Sequence, residues 1–322
     1  MTSRLLRLSR AATLMAIAVM AWQINLPLPL PQFDTPHLPL PYLAPAIHPA
    51  EIAALIALST YALAGWPNRT ALRSSWRSVF ALSGLGLILF GALSITWSPH
   101  RGLAALQVLH LAIGIAFALL ITCADWSPTS MASALLLGLL LHSMVGFIQI
   151  GLRPEVEISP QNSGISVVFN GAEHWQRVYG LSPHPNILGG HLAVGAILIV
   201  GLIIQPQRAK RFWLGLAWLI IWITLLLTFS RSAWLAVIGG SAIAVTLLLR
   251  GRHLTGSLSK PLMTLGGLGM MAIVIFGVWF QPFLANRLNV TATPYETQAI
   301  TGRLNWAQWA LQIFAAHPLT GV

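Results

Sequence analysis

Charged residues are scarce in this sequence of 322 residues. They make up 8% of the chain, whereas hydrophobic residues make up 56%. A soluble globular protein of this length needs more polar side chains to cover its surface, so the composition excludes that class. The chain is instead typical of an all-α, polytopic membrane protein.

Acidic residues and cysteine are scarce too. The seven acidic residues include no Asp-x-Asp pair, and the nearest pattern, Glu155-Val-Glu157, is interpreted as two solvated glutamates in a loop. Because proteins bind Mg²⁺ through carboxylates together with phosphate oxygens, we expect no metal site and no cofactor. The single cysteine, Cys123, excludes an internal disulfide. The 18 basic residues are scattered along the chain, which argues against a nucleic-acid-binding patch.

Long apolar runs recur along the whole chain. A helix needs about 20 apolar residues to cross a hydrocarbon core of about 30 Å. Nine runs approach this length, and the short segments between them hold nearly all the charges. We therefore predict one integral membrane domain over residues 1–322 with nine transmembrane helices. These lie near residues 11–27, 49–65, 78–96, 103–122, 131–151, 185–204, 212–229, 232–249 and 261–280.

One arginine interrupts the longest apolar run. Between Phe212 and Leu249, Arg231 is the only residue with a formal charge. A single helix over this run would be about 57 Å long at about 1.5 Å per residue, far more than one crossing needs. We therefore predict a hairpin whose tip holds Arg231 at the depth of the lipid headgroups. In the simpler interpretation, Arg231 only snorkels: its aliphatic stem lies in the apolar layer, its guanidinium group lies at the membrane surface, and it binds no ligand.

The distribution of Lys and Arg predicts the orientation in the membrane. With a cytoplasmic N-terminus, twelve of the 18 basic residues lie in cytoplasmic segments and six on the outer side. The outer side then has three segments: a proline-rich loop at 27–48, interpreted as a spacer or a partner-binding segment, a polar loop at 152–184, and the start of a large loop at 281–322. The first helix is expected to be retained, because no convincing signal cleavage site follows it.

Three stretches carry a resemblance to a known family: RVYGLSPHPNILGGHLAVG (177–195), LTFSRSAWLAVIGG (227–240) and GRLNWAQWALQIFAAHPLTGV (302–322). In this order they resemble three signatures of the O-antigen ligase and O-antigen polymerase superfamily. The signatures are an arginine and glycine before Pro-Asn at a helix start, a Ser-Arg hairpin tip, and a Gly-Arg…Trp…His-Pro…Gly helix. The resemblance covers most of the chain from about residue 78 onward.

The resemblance implies an enzyme of the bacterial cytoplasmic (inner) membrane. Such an enzyme transfers a glycan from an undecaprenyl-diphosphate donor to a hydroxyl group of a sugar, a lipid-linked saccharide or a protein at the outer face, without a metal ion. The expected partners are these two substrates and membrane lipids. A polymerase differs from a ligase only in its acceptor, so both remain open. A bicarbonate or other anion transporter and a noncatalytic scaffold are the two competing classes of function.

Arginines are the expected ligands of the donor diphosphate. Guanidinium groups stay charged and bind phosphate oxygens in a forked geometry, which suits the charge that grows on the leaving group. Membrane anchoring or a salt bridge to Glu173 or Glu296 is the competing role for the arginines. The expected donor-binding residues are Arg177, Arg231 and Arg303, with hydroxyl donors from Ser230 and Ser232.

Histidine is the natural candidate for a general base near neutral pH. His184 and His317 lie on the predicted outer face and are the expected catalytic residues. Both could instead have a local role at a helix end, since His184 precedes Pro185-Asn186 and His317 precedes a proline. In the resembling family the histidine usually proposed as base follows a Gly-x-Gly that would come after Val322. The chain is therefore expected to be C-terminally truncated, with its activity in doubt.

Single cysteines in a Cys123→Ala background should report the predicted orientation. A membrane-impermeant thiol reagent added to intact cells should label Arg303→Cys and spare Arg208→Cys, because only the outer side is accessible. Labelling of Arg208→Cys after lysis is the control for its reactivity. Labelling of that residue in sealed cells would contradict the orientation.

Overall fold

The computed structural model describes residues 2–28, 45–65, 79–124, 126–152, 167–169, 173–203, 208–250, 256–289 and 294–318. The elements, in chain order, are α1 (Thr2–Val19), β1 (Leu26–Pro27), β2 (Ala46–Ile47), α2 (Pro49–Leu63), α3 (Val79–Ser94), α4 (Arg101–Cys123), α5 (Pro128–Leu152), β3 (Val167–Phe169), β4 (His174–Gln176), α6 (Pro185–Leu202), α7 (Arg208–Leu227), α8 (Arg231–Arg250), α9 (Gly256–Trp279), α10 (Gln281–Leu288) and α11 (Pro294–Ala316).

The all-α membrane fold predicted from composition is confirmed. Among the described residues, six helices, α4 to α9, are long and apolar enough to cross a membrane. Helices α2 and α3 are apolar but shorter. The apolar runs predicted as the second to ninth spans all coincide with helices, because a buried or lipid-facing backbone must satisfy its polar groups within the helix.

The first helix differs from its prediction. It occupies Thr2–Val19 rather than residues 11–27, so the arginine-rich start is helical. Arginine and leucine are both good helix formers, and this favours a helix from the second residue onward. The residues that follow α1 lead into β1, where Leu26 and Pro27 pair antiparallel with Ile47 and Ala46 of β2.

The other predicted loops are only partly described. Most of the proline-rich loop (27–48) and most of the first half of the 152–184 loop lie outside the described residues. In the second loop, β3 and β4 form an antiparallel pair. The segment from residue 281 onward contains the helices α10 and α11.

The chain divides into two compact units. The first comprises Met1–Leu135 and Ile313–Val322, and its helix α1 packs along α2, while α4 packs on α2 and α3. Small residues allow the close approach of α1 and α2: the hydroxyl of the buried Ser9 donates to the carbonyl oxygen of Ala57 at 2.8 Å.

The second unit, Leu136–Gln312, is organised around α6. This helix packs against α7 and α8, and α9 packs against α7. A Cβ atom at Gly189 of α6 would lie 3.0 Å from the Cβ of Ala233 and 3.1 Å from the Cβ of Ser230. The missing side chain therefore lets α6 approach the first turn of α8, where the predicted hairpin tip lies.

A tight turn leads from β4 into α6. Gly180 in this turn has a φ of +58°, and the side-chain amide of Gln149 bonds both its N–H (2.9 Å) and its carbonyl oxygen (2.8 Å). A Cβ atom at Gly180 would collide with Cδ2 of His142 and lie 3.0 Å from the carbonyl oxygen of that residue. Both the conformation and the space at this position therefore require glycine.

Gly180→Ala should lower the thermal unfolding midpoint in detergent more than Gly65→Ala. Both positions have positive φ, and the conformational strain on alanine costs about 1 to 2 kcal/mol. Only Gly180 also meets neighbouring atoms, whose displacement adds about 1 to 3 kcal/mol, whereas nothing lies within 4 Å at Gly65. Equal effects of the two substitutions would contradict the packing of this turn on α5.

Candidate functional site

The hairpin predicted around Arg231 is present in the second unit. Helix α7 ends at Leu227, a turn spans Thr228 to Ser230, and α8 begins at Arg231. Phe229 at the tip has a φ of +49°, the left-handed region that bulky residues rarely adopt. Its fully buried ring lies 5.1 Å from the ring of Phe276 and 5.6 Å from that of Phe280, so aromatic packing offsets the strain.

Two arginines bind the carbonyl groups of this tip. Nε of Arg177 donates to the carbonyl oxygen of Thr228 at 2.7 Å, and Nε of Arg287 donates to that of Phe229 at 3.3 Å. Carbonyl groups at the end of a helix lack partners within the helix and carry partial negative charge. The two guanidinium groups therefore satisfy and neutralise the end of α7.

Arg177 also connects the tip to the start of α6. Its Nη2 donates to Oδ1 of Asn186 at 2.6 Å, and the side chain is only 2% exposed. The backbone N–H of Asn186 donates in turn to Nδ1 of His184 at 2.9 Å. His184 is thus the N-cap of α6, the local role left open from the sequence. The expected donor-binding residue Arg177 is buried, with two of its nitrogens bound to protein groups.

Arg231 binds the backbone of Arg287. Nη1 of Arg231 donates to the carbonyl oxygen of Arg287 at 2.7 Å, while Arg287 itself bonds to the tip. This pair ties α10 to the hairpin. Arg231 is half-buried, whereas Arg287 is buried.

The two serines beside Arg231 differ in exposure. Ser230 is 1% exposed and its N–H donates to Oγ1 of Thr228, so this residue stabilises the turn. Ser232 is exposed, and its Oγ lies 3.3 Å from Oγ of Ser230. Of the two predicted hydroxyl donors, Ser232 is the accessible one.

The electrostatics around His184 show which cations lie near it. Burial, followed by the charges of Arg177, Arg303 and Arg287, lowers the pKa of His184 to about 4. The structure therefore brings Arg177, Arg287 and the exposed Arg303 of α11 into electrostatic range of one imidazole. Arg231 joins this group through Arg287. We call these four arginines and His184 the arginine cluster.

The remaining predicted site residue, His317, directly follows α11. It is exposed, and its N–H donates to the carbonyl oxygen of Ile313, so it ends the helix as its sequence context suggested. Within the described part of the chain, no group of three or more His, Cys, Asp or Glu side chains could hold a metal ion. The arginine cluster suits an anionic ligand, because four of its five side chains are cations.

Sequence reasoning missed two members of this network. Arg287 was counted only as a basic residue of the outer side, because it belongs to no motif and its partners at the tip lie more than 50 positions away. Asn186 was part of a quoted motif but was interpreted only as a helix start. The available signal was the unusual histidine before Pro-Asn, where Ser, Thr, Asp or Asn normally caps the helix.

Arg177→Lys should reduce stability more than Arg303→Lys. A lysine keeps the charge, but its single nitrogen cannot bond Thr228 and Asn186 in the geometry of the planar guanidinium group. The loss of one bond from a charged donor costs about 1.5 to 3 kcal/mol. The thermal midpoint of the purified protein should fall clearly for Arg177→Lys and stay near wild type for the exposed Arg303→Lys. Similar midpoints for both variants would contradict a structural role of Arg177.

The chain was compared with protein-family models, curated proteins and solved structures. Residues 216–322 match a family model described as O-antigen ligase, a region that contains the hairpin tip, α10 and α11. No curated protein and no solved structure matches the chain significantly. The match supports a multi-pass membrane protein with a ligase-type role in glycan transfer, and the family implies lipid-linked glycan substrates. The resemblance seen in the motifs is thereby confirmed for residues 216–322, which match the O-antigen ligase domain.

Proposed function

We propose that this protein transfers a glycan from an undecaprenyl-diphosphate-linked donor to an acceptor hydroxyl group at the outer face of the bacterial inner membrane. The acceptor is a sugar, a lipid-linked saccharide or a protein. The N-terminus is cytoplasmic, the loops at 27–48 and 152–184 and the segment from 281 onward lie outside, and the reaction uses no metal ion. The ligase is preferred to a polymerase because the matched domain is described as a ligase.

The observation that carries this proposal is the arginine cluster at the tip of the hairpin. Its members come from the turn before α6, from α8, α10 and α11, and three of the four arginines lie in the matched domain. A site that stabilises a leaving diphosphate needs such convergent fixed cations. The apolar helices α7 and α8 that lead to the tip offer a surface for the prenyl chain.

The exposure of the arginines suggests a division of roles. Arg303 is exposed and Arg231 half-buried, with the exposed Ser232 next to Arg231 in the chain, so these groups bind the phosphate oxygens. Arg177 and Arg287 are buried, so they hold the tip and add to the positive potential. Ser230 keeps the turn in shape.

The transfer step follows from the chemistry of the donor. The acceptor oxygen bonds to the anomeric carbon while the bond from that carbon to the phosphate oxygen breaks. The electron pair of the broken bond stays on the diphosphate, and the hydroxyl proton passes to the diphosphate or to water. The arginine cluster lowers the barrier because its charges meet the charge that develops on the leaving diphosphate.

Arg231→Ala should weaken the binding of undecaprenyl diphosphate to the purified protein in detergent. Loss of a charge-assisted contact of about 1.5 to 3 kcal/mol corresponds to roughly 10- to 150-fold in Kd. Arg101→Ala is the matched control, since Arg101 is an exposed arginine that contacts the carbonyl oxygen of Thr96 at 3.3 Å. Undecaprenol, which lacks the diphosphate, should bind equally to all three proteins. Equal diphosphate binding by wild type and Arg231→Ala would reject the proposed site.

Glycan transfer from a lipid-diphosphate donor should be insensitive to a metal chelator. The arginines supply the positive charge that a divalent ion supplies in other transferases, so removal of metal ions should leave the rate unchanged. The rate would be measured with membranes that contain the protein, before and after chelation. Loss of transfer that returns with added Mg²⁺ would contradict the metal-independent reaction.

A further inference from the structure

The ring of His184 is fixed by one contact. Its Nδ1 accepts the backbone N–H of Asn186 at 2.9 Å. A ring nitrogen that accepts a hydrogen bond carries no proton, so the single proton of the neutral imidazole lies on Nε2. Protonation of Nδ1 would place two N–H groups face to face and break the cap. The ring can therefore donate through Nε2, but neither nitrogen is free to act as a base.

The neighbourhood of His184 keeps the ring neutral. Burial has the largest effect, and the charges of Arg177 before α6, Arg303 on α11 and Arg287 on α10 act in the same direction. With a pKa of about 4, the ring carries no charge at neutral pH. His184 was predicted to be a catalytic base, and the geometry of its cap favours the opposite role of a donor.

We infer that His184 is a hydrogen-bond donor to a phosphate oxygen of the lipid-diphosphate ligand, and that Asn186 is its positioning residue. The backbone N–H of Asn186 holds the donating tautomer, and its side chain fixes the first turn of α6 to Arg177. This inference rests on the proposed function for the identity of the ligand. It adds a neutral donor to the arginine cluster at the end of α6.

The choice of residue at the N-cap supports this role. Serine, threonine, asparagine or aspartate would cap a helix at least as well, and each is shorter than histidine. Histidine caps with one ring nitrogen and presents a second polar atom on the far side of the ring. Because Pro185 has no N–H group, the N–H of Asn186 is the first backbone donor of α6, and it binds the ring.

Asn186 links this cap to the hairpin tip. Its Oδ1 accepts the bond of 2.6 Å from Nη2 of Arg177, whose Nε is bound to Thr228. The first turn of α6, and with it the direction of the His184 ring, is thereby fixed relative to the tip where the diphosphate is proposed to bind. Asn186 acts on the ligand only through the position of His184.

His184→Asn separates the two roles of this residue. Asparagine retains a capping oxygen, but its amide N–H groups end nearer the backbone than Nε2 does, so the thermal midpoint should stay near wild type while binding of undecaprenyl diphosphate weakens about 10-fold or more. The matched control is His174→Asn, on the exposed side chain of β4, which should bind as wild type. Unchanged binding by His184→Asn would overturn the donor role.

The pH dependence distinguishes a neutral donor from an ionising histidine. The ratio of Kd between His184→Asn and wild type should be constant from about pH 8 to 5.5, because the ring stays neutral over that range. The ratio also cancels the ionisation of the diphosphate itself. A ratio that rises as the pH falls through about 6.5 would show a ring that gains a proton, and would overturn the inference.

The ¹⁵N NMR spectrum of histidine-labelled protein tests the tautomer without any ligand. The His184 signals, assigned by their loss in His184→Asn, should show a bare Nδ1 and a protonated Nε2. Asn186→Ala keeps the backbone N–H that fixes the tautomer, so these signals should stay as in wild type, while loss of the contact with Nη2 of Arg177 should weaken binding severalfold. A protonated Nδ1 in wild type would overturn the donor role of His184, and an affinity unchanged by Asn186→Ala would overturn the positioning role of Asn186.

Comparison with Arg231→Ala shows which proposal fails. If Arg231→Ala weakens binding and His184→Asn does not, the inference about His184 is wrong and the proposed function stands. If neither substitution weakens binding, the proposed diphosphate site is wrong.

Discussion

The buried guanidinium group of Arg177 is the contact on which the second unit depends. Helix α7 ends inside the protein, where the carbonyl groups of Thr228 and Phe229 need donors other than water. Burying a cation is costly unless it is hydrogen-bonded, and Arg177 meets that condition through Thr228 and Asn186. The end of α7 and the start of α6 are thereby fixed together, and the turn between α7 and α8 can hold Phe229 in a strained conformation.

Under the proposed function, this arrangement separates a structural role from a binding role within one set of arginines. Arg177 and Arg287 use their Nε atoms on backbone carbonyl groups, which orders the turn before any ligand arrives. Arg231 and Arg303 remain accessible. A turn that is already ordered loses little conformational freedom when a ligand binds. By ordering the turn, Arg177 and Arg287 are expected to raise the affinity of the proposed site without contacting the ligand.

The sequence predicted features that depend on hydropathy and length, and missed those that depend on contacts across the chain. The hairpin at Arg231 was predictable because its apolar run is too long for one crossing. The burial of Arg177 and the pairing of Arg231 with Arg287 were not, because each joins residues more than 50 positions apart. The start of α1 was misplaced because hydropathy alone assigns an arginine-rich segment to a loop, although arginine favours helix.

The positive potential of the cluster also limits which acid–base chemistry can occur within it. The cations that are proposed to stabilise a leaving diphosphate oppose protonation of a nearby imidazole, and a base with a pKa of about 4 is a weak proton acceptor at neutral pH. A strong leaving group reduces the need for such a base, because bond breaking to the diphosphate leads and the acceptor oxygen becomes acidic as it bonds to the anomeric carbon. The cluster therefore suits a transfer in which negative charge develops on the phosphate side and the acceptor loses its proton late, to the diphosphate or to water.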